Sequence, residues 1–276
     1  MPIIICPNCK SLLHQSEKTV RCQNGHSFDV SKEGYINLLL ANQKKTNNPG
    51  DNKIMANARE AFLSTGHYGF LLDNIESTIN SLDLFSTTDG GIFHLLDLGC
   101  GTGFYTRNLF TRKNFKKIGV DISKIGIAKA SIKDKDSTYI VGSAFDLPIA
   151  DNSIDLLINI FSPLYLEELK RVLKPGGYFV KVIPIGHHMK EVAELVYEEF
   201  IPHQSSIKED IESDSMFRII KAGNIKNIIS LAGQDLLNFI SMTPYLYKFK
   251  EGQLESLKEL SVTISFEVII GITLKS

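Results

Sequence analysis

Short apolar runs, each closed by glycine or by an acid, recur through the middle of the chain. Ile92, Phe93, Leu95 and Leu96 lead into Asp97-Leu98-Gly99-Cys100-Gly101-Thr102-Gly103, and a helix-like stretch follows. Ile118 to Ile122 forms a second run with Asp121 near its end, and Tyr139 to Val141 a third, followed by Gly142 to Pro148. The polar segment Asp151 to Asp155 opens a fourth run, Leu156 to Phe161. Leu173-Lys174-Pro175-Gly176-Gly177 reads as a helix-to-strand turn feeding a fifth, Tyr178 to Ile183. Continuous apolar runs of this length, spaced by helix-sized segments, are strands buried on both faces and joined by crossovers. The pattern predicts an α/β, Rossmann-like, mostly parallel sheet with its ligand loops at the carboxyl ends of the strands.

The first of those loops carries the chemistry. Gly99, Gly101 and Gly103 remove three β-carbons from one turn, so a ligand can lie against the main chain. The spacing is G-x-G-x-G rather than the G-x-G-x-x-G of dinucleotide binders. Asp97 places an anionic group before the loop, which suits a sulfonium with a neighbouring ammonium better than a pyrophosphate. Asp121 stands where a ribose diol would be accepted. In this order the elements resemble the class I S-adenosylmethionine-dependent methyltransferases over roughly residues 92–185. The resemblance implies that the glycine loop holds the methionine part of the cofactor, Asp121 the ribose, and the loop after the third run the adenine. Ser143 occupies the place of the acid usual in that last loop.

Composition adds a second chemistry. The chain has 276 residues, 43% of them hydrophobic and 22% charged, as expected of a globular protein with one large domain and a smaller one. No apolar run reaches membrane-spanning length and no basic, apolar leader opens the sequence, so a cytoplasmic location without membrane contact is expected. Cys6, Cys9, Cys22 and His26 give C-x2-C-x12-C-x3-H, two close-spaced pairs separated by the length of a hairpin. Three thiolates and one imidazole complete a tetrahedron and leave no position for water, so a structural Zn2+ site is expected. His14 lies inside the hairpin and is the weaker alternative to His26. Cys100, alone in the glycine loop, reads as a small filler. The net charge of −1 favours no polyanionic partner, yet residues 1–50 carry six basic side chains (Lys10, Lys18, Arg21, Lys32, Lys44, Lys45) against three acidic ones (Glu17, Asp29, Glu33). The polar stretch Asn42 to Asn52 reads as an exposed loop after this cysteine-bearing head.

A more specific resemblance rests on Ser27 to Leu39, on Pro49-Gly50-Asp51, on Met55, Ala58-Arg59 and Ala61-Phe62-Leu63, on Gly66-His67-Tyr68, and on Met242-Thr243-Pro244-Tyr245. Joined to the methyltransferase motifs, these segments resemble the RlmA family over essentially the whole chain. That family methylates guanine N1 in a hairpin loop of 23S ribosomal RNA, at position 745 or 748 according to branch. The resemblance implies Cys6, Cys9, Cys22 and His26 as zinc ligands. It implies a cofactor pocket of Tyr68, Gly101, Thr102 and His188 with the class residues Gly99, Gly103 and Asp121, to which the reading of the loop adds Asp97. It also implies a zinc-binding, RNA-recognising segment at 1–40, a linking helical region at 41–90 and a methyltransferase domain at 91–276. The 23S RNA hairpin would be the partner, and a homodimer is compatible with the resemblance.

Guanine N1 lies on the Watson–Crick edge, so the target must be unstacked or already in a loop. No residue stands out as the base that takes its proton. His67 and Asp51 are candidates by position, with packing the blander reading of His67. Tyr35 and Phe28 could stack on bases, although aromatic side chains beside a small metal module are more often its core. The group His187, His188, Glu191, Glu194, Glu198 and Glu199 is rejected as a metal site: adjacent residues of a helix diverge by about 100°, and the glutamates form a solvated helix face. The main rival is a methyltransferase acting on a small molecule such as a quinone precursor, with the zinc head structural only. A non-catalytic RNA-binding module with a dead cofactor fold is a second.

Overall fold

The computed structural model describes residues 3–43, 50–82, 85, 91–111 and 114–275. The chain opens with a three-stranded antiparallel sheet, β1 (Leu13–Ser16), β2 (Thr19–Cys22) and β3 (Ser27–Asp29), followed by the short β4 (Ile36–Asn37). Two helices come next, α1 (Lys53–Leu63) and α2 (Gly69–Ser81). The predicted alternation then appears as β5 (Phe93–Leu98), α3 (Phe104–Asn108), β6 (Phe115–Asp121), α4 (Lys124–Lys133), β7 (Thr138–Val141), β8 (Ile154–Ile160), α5 (Leu166–Val172) and β9 (Leu173–Pro184). The remainder holds α6 (Lys190–Glu194), α7 (Ile207–Ser213), β10 (Phe217–Ala232), α8 (Gly233–Ser241) and β11 (Glu259–Thr273). Among the described residues no helix is long and apolar enough to cross a membrane.

One eight-stranded sheet, ordered β10-β11-β9-β8-β5-β6-β7-β4, organises the molecule. Strands β4 to β9 run parallel, and β11 and β10 close the far side antiparallel. The strand order turns back on either side of β5, so the loops after β5 and β8 diverge there and leave a crevice. Local capping agrees with the sequence. The Asn52 side chain accepts from the Met55 N–H to start α1, and Ser123 accepts from Gly126 to start α4.

Two features depart from the sequence pattern. The expected turn Leu173–Gly177 is absorbed into β9. Ile154 pairs with Leu173 but Leu156 pairs with Tyr178, so residues 174–177 bulge out of the ladder. Lys174 holds that bulge with Nζ at 2.7 and 2.8 Å from the Asp155 carboxylate oxygens. Second, the cysteine-bearing head does not pack by itself. Ile3, Ile4, Leu13 and Val20 share one hydrophobic core with Leu147, Ile149 and Leu98. Its backbone also bonds the sheet domain, from Ile5 N–H to Pro148 O (3.0 Å), from Ala150 N–H to Ile3 O (2.8 Å) and from Leu38 N–H to Val141 O (2.9 Å). Strand β4 extends the large sheet beyond β7, so the segments 1–40 and 91–276 meet in a continuous ladder.

Candidate functional sites

The head brings Cys6, Cys9, Cys22 and His26 together, their ligand atoms all within 4.8 Å of one another. Cys9 Sγ lies 3.6 Å from Cys22 Sγ, and His26 Nδ1 lies 3.4 Å from Cys22 Sγ and 3.6 Å from Cys6 Sγ. A tetrahedron with Zn–S bonds of about 2.3 Å has S–S edges of about 3.8 Å, so the spacing fits Zn2+. Each pair sits on a tight turn, closed by Lys10 N–H to Cys6 O and by Gly25 N–H to Cys22 O. The Ser11 hydroxyl and amide beside Cys9 lower its thiol to about 5, toward the thiolate that a metal binds. His14 lies exposed on β1, outside the group.

The second site is a cavity of about 530 Å³ at the carboxyl ends of β5, β6, β7 and β8. Its floor is the glycine loop. Gly99 has φ +78°, and a β-carbon there would fall 2.1 Å from Ser162 Oγ, so the β5 and β8 loops touch through that missing side chain. Gly101, at φ +54°, would meet nothing nearer than Arg59 Cδ at 3.7 Å and presents open backbone to the cavity. The Asp121 carboxylate fixes the loop from beneath, accepting from Gly101 N–H (2.9 Å) and Ser123 N–H (2.7 Å). Each oxygen keeps lone-pair capacity for a further donor. Burial raises the Asp121 pKa.

Of the cofactor residues expected from the sequence, Tyr68, Gly99, Gly101, Thr102, Asp121 and His188 line this cavity. Asp97 and Gly103 do not. The Asp97 carboxylate is turned toward α3, accepts from Thr106 Oγ1 at 2.6 Å and is pushed by burial to about 7. Gly103 caps α3 from behind the loop, where a β-carbon would meet Tyr139 and Ala130. Ser143 lines the opposite wall and accepts from Phe145 N–H. The Thr102 Oγ1 and Tyr105 hydroxyls are buried without a partner among the described residues. His188 is 8% exposed, accepts from Ser265 N–H at 3.4 Å, and is held neutral by burial, its pKa depressed to about 3.

Other candidates separate. Asp51 lines the cavity and pairs with Arg59 (2.7 Å), whereas His67 pairs with Asp235 (3.1 Å) and stacks on Phe62, outside the lining. Tyr35 is buried beneath the sheet edge and Phe28 packs on the shared core, so neither stands free to stack on a base. Cys100 is buried, and burial raises its thiol well above its usual range, which disfavours the thiolate that a nucleophile needs. His187 and His188 do diverge, but from a turn rather than a helix: His187 stacks on Phe200 while His188 faces the cavity. Glu191 is not a solvated residue. It accepts from Thr263 N–H and Oγ1, tying α6 to β11. Arg59, Tyr105 and His203 line the cavity without having been singled out as ligand groups from sequence, although Arg59 stood within a motif.

Residues 4–47 match the family described as RlmA, N-terminal, a zinc ribbon, and residues 96–181 match the family described as methyltransferase domain. The 23S rRNA (guanine(748)-N(1))-methyltransferase of Streptomyces fradiae is 28% identical over 240 residues, 79% of this chain and 83% of that protein. A Bacillus subtilis (strain 168) protein provisionally named as a 23S rRNA (guanine-N1)-methyltransferase is 28% identical over 96% of this chain and 95% of its own length. The demethylmenaquinone methyltransferase of Symbiobacterium thermophilum is 40% identical over 103 residues, 32% of this chain and 41% of that protein.

Proposed function

We propose, from the premise that this chain belongs to the RlmA-type methyltransferases, that it methylates guanine N1 in a hairpin loop of 23S ribosomal RNA, at position 745 or 748. The observation that carries the reading is the attachment of a closed Cys3His head to the wall of the cofactor cavity. A small-molecule enzyme needs the cavity but not the head. S-adenosylmethionine, when bound, supplies an electrophilic methyl group on a sulfonium. Gly99, Gly101 and Thr102 would hold its methionine part, Asp121 its ribose diol, and the wall at Ser143 its adenine. Tyr68, Tyr105 and neutral His188 close an apolar chamber that excludes water from the transfer. Holding the acceptor nitrogen in line with the methyl group accounts for much of the rate.

The similarity to the quinone methyltransferase supports the rival, small-molecule reading, but it covers only the cofactor-binding core. Labelled methyl transfer from S-adenosylmethionine, offered deproteinised ribosomal RNA and a small-molecule pool in parallel, separates the two. Label in RNA, recovered as 1-methylguanosine by mass spectrometry, is the expected outcome. Label confined to the small-molecule pool contradicts it.

A further inference from the structure

A second cavity, of about 330 Å³, adjoins the first and shares Phe161, Ser162, Pro163, Pro184 and His203 with it. Two polar groups on its walls have unspent hydrogen-bonding capacity. Lys181, on β9, is 4% exposed and donates to Asn159 Oδ1 and to Ser162 O, both at 2.5 Å. No carboxylate pairs with it among the described residues. An ammonium carries three donors, so one remains. Burial lowers its pKa to about 8, which still leaves it mostly charged at neutral pH.

His203 is the other group. Its backbone is pinned by reciprocal bonds with Gly186 (3.0 and 2.8 Å). The backbone of His188 lies beside the ring and partly offsets the effect of burial on it. Nε2 is buried with no partner among the described residues, so its hydrogen-bonding capacity is unspent. Burial lowers the His203 pKa and keeps the ring neutral.

We infer that this second cavity receives the acceptor base, with Lys181 donating to O6 of guanine and His203 Nε2 taking the N1 proton. The inference rests on the guanine-N1 reading above. A donor and an acceptor on the walls of one cavity complement the C6 carbonyl and N1–H of a lactam edge. Adenine presents the reverse pattern and would leave both buried groups unmatched. The proton passes to Nε2 first, because N1–H and the incoming methyl share one in-plane direction. His203, on the boundary of the two cavities, stands beside that path. The negative charge left on N1 and O6 is held by the Lys181 ammonium. The N1 electron pair then bonds the methyl carbon, the C–S bond breaks toward sulfur, and a neutral thioether leaves. Histidinium later releases its proton to water.

The test uses the full chain, S-adenosylmethionine and a 23S RNA hairpin. The titratable groups facing His203 are His188, with ring centres 5.6 Å apart, and Lys181 across the second cavity. His203→Gln should lower kcat by about 10²- to 10⁴-fold, remove the acid limb of the pH–rate profile and leave cofactor affinity within about twofold. Lys181→Met should lower kcat with cofactor affinity kept, and an unchanged kcat in that variant overturns the O6 contact. Wild-type protein that labels no guanine overturns both this inference and the function it rests on. Guanine labelling by wild type, with His203→Gln unchanged in rate and pH profile, overturns this inference alone. So does a loss of cofactor affinity that matches the loss of rate, which would make His203 a wall of the cofactor site.

Discussion

The two sites use opposite strategies. In the head, four side-chain ligands lie within 4.8 Å of one another and face a common point, leaving room for an ion and nothing larger. In the cavity, Gly101 presents bare main chain, with the Asp121 carboxylate bracing it from beneath and Arg59 beside it. The head is specified by residue type and the cavity by the absence of side chains. A substitution in the head should therefore act by removing a ligand, and one in the glycine loop by adding an obstacle.

The largest effect is expected at the head. Cys22→Ser should lose bound zinc, measured by atomic emission. Structural zinc contributes on the order of 10–16 kcal/mol to small metal modules. Sequence alone suggests that the methyltransferase domain would stay folded through such a loss. The shared core of Ile3, Ile4 and Leu13 with Leu147 and Ile149 changes that expectation, so the whole chain should melt at a lower temperature. Full metal content in the variant would remove Cys22 from the ligand set.

Next come the glycines, and here the two positions should differ. A side chain at Gly99 collides with Ser162, whereas one at Gly101 projects into the cavity. Gly99→Val should both destabilise the fold and abolish cofactor binding. Gly101→Val should abolish binding while the added strain of a left-handed residue costs about 1–3 kcal/mol. Calorimetry with S-adenosylmethionine and a thermal melt check both, and normal binding by either variant would refute the loop as the cofactor floor.

Asp121→Ala ranks third. It removes two backbone bonds together with the proposed ribose acceptor, and affinity should fall by roughly 1.5–3 kcal/mol, about 10- to 150-fold. Unchanged affinity would leave Asp121 as a loop brace only. The smallest effect concerns Lys44 and Lys45, which lie outside the described residues. Replacing both by alanine should reduce the salt dependence of RNA binding by up to about two counterions and leave cofactor affinity unaltered. An unchanged slope would make them bystanders.

The same contrast governs how much could be read from sequence. The metal ligands, Gly99, Gly101, Thr102 and Asp121 are legible because their meaning lies in local spacing: the structure gathers the four ligands in the head and the other four on the cavity wall, with Gly103 behind the loop. Asp97 was read as facing a cation, but strand geometry turns alternate residues to opposite sides, and its carboxylate meets Thr106. The union of head and sheet was not legible. Ile3, Ile4 and Leu13 look like the core of a small module until Leu147 and Ile149, over 130 residues away, are placed against them. Lys181 and His203 are not legible for the same reason: each is ordinary in its own segment, and only the fold brings both to the wall of one cavity.

Methylation of guanine N1 blocks Watson–Crick pairing. Reverse transcription across the hairpin of unmodified 23S RNA, after incubation with the purified chain and S-adenosylmethionine, tests it most directly. A new stop one nucleotide before a single hairpin guanine, absent without cofactor and absent with Gly101→Val, is expected. Full read-through of that hairpin by RNA treated with active, cofactor-binding protein would contradict it.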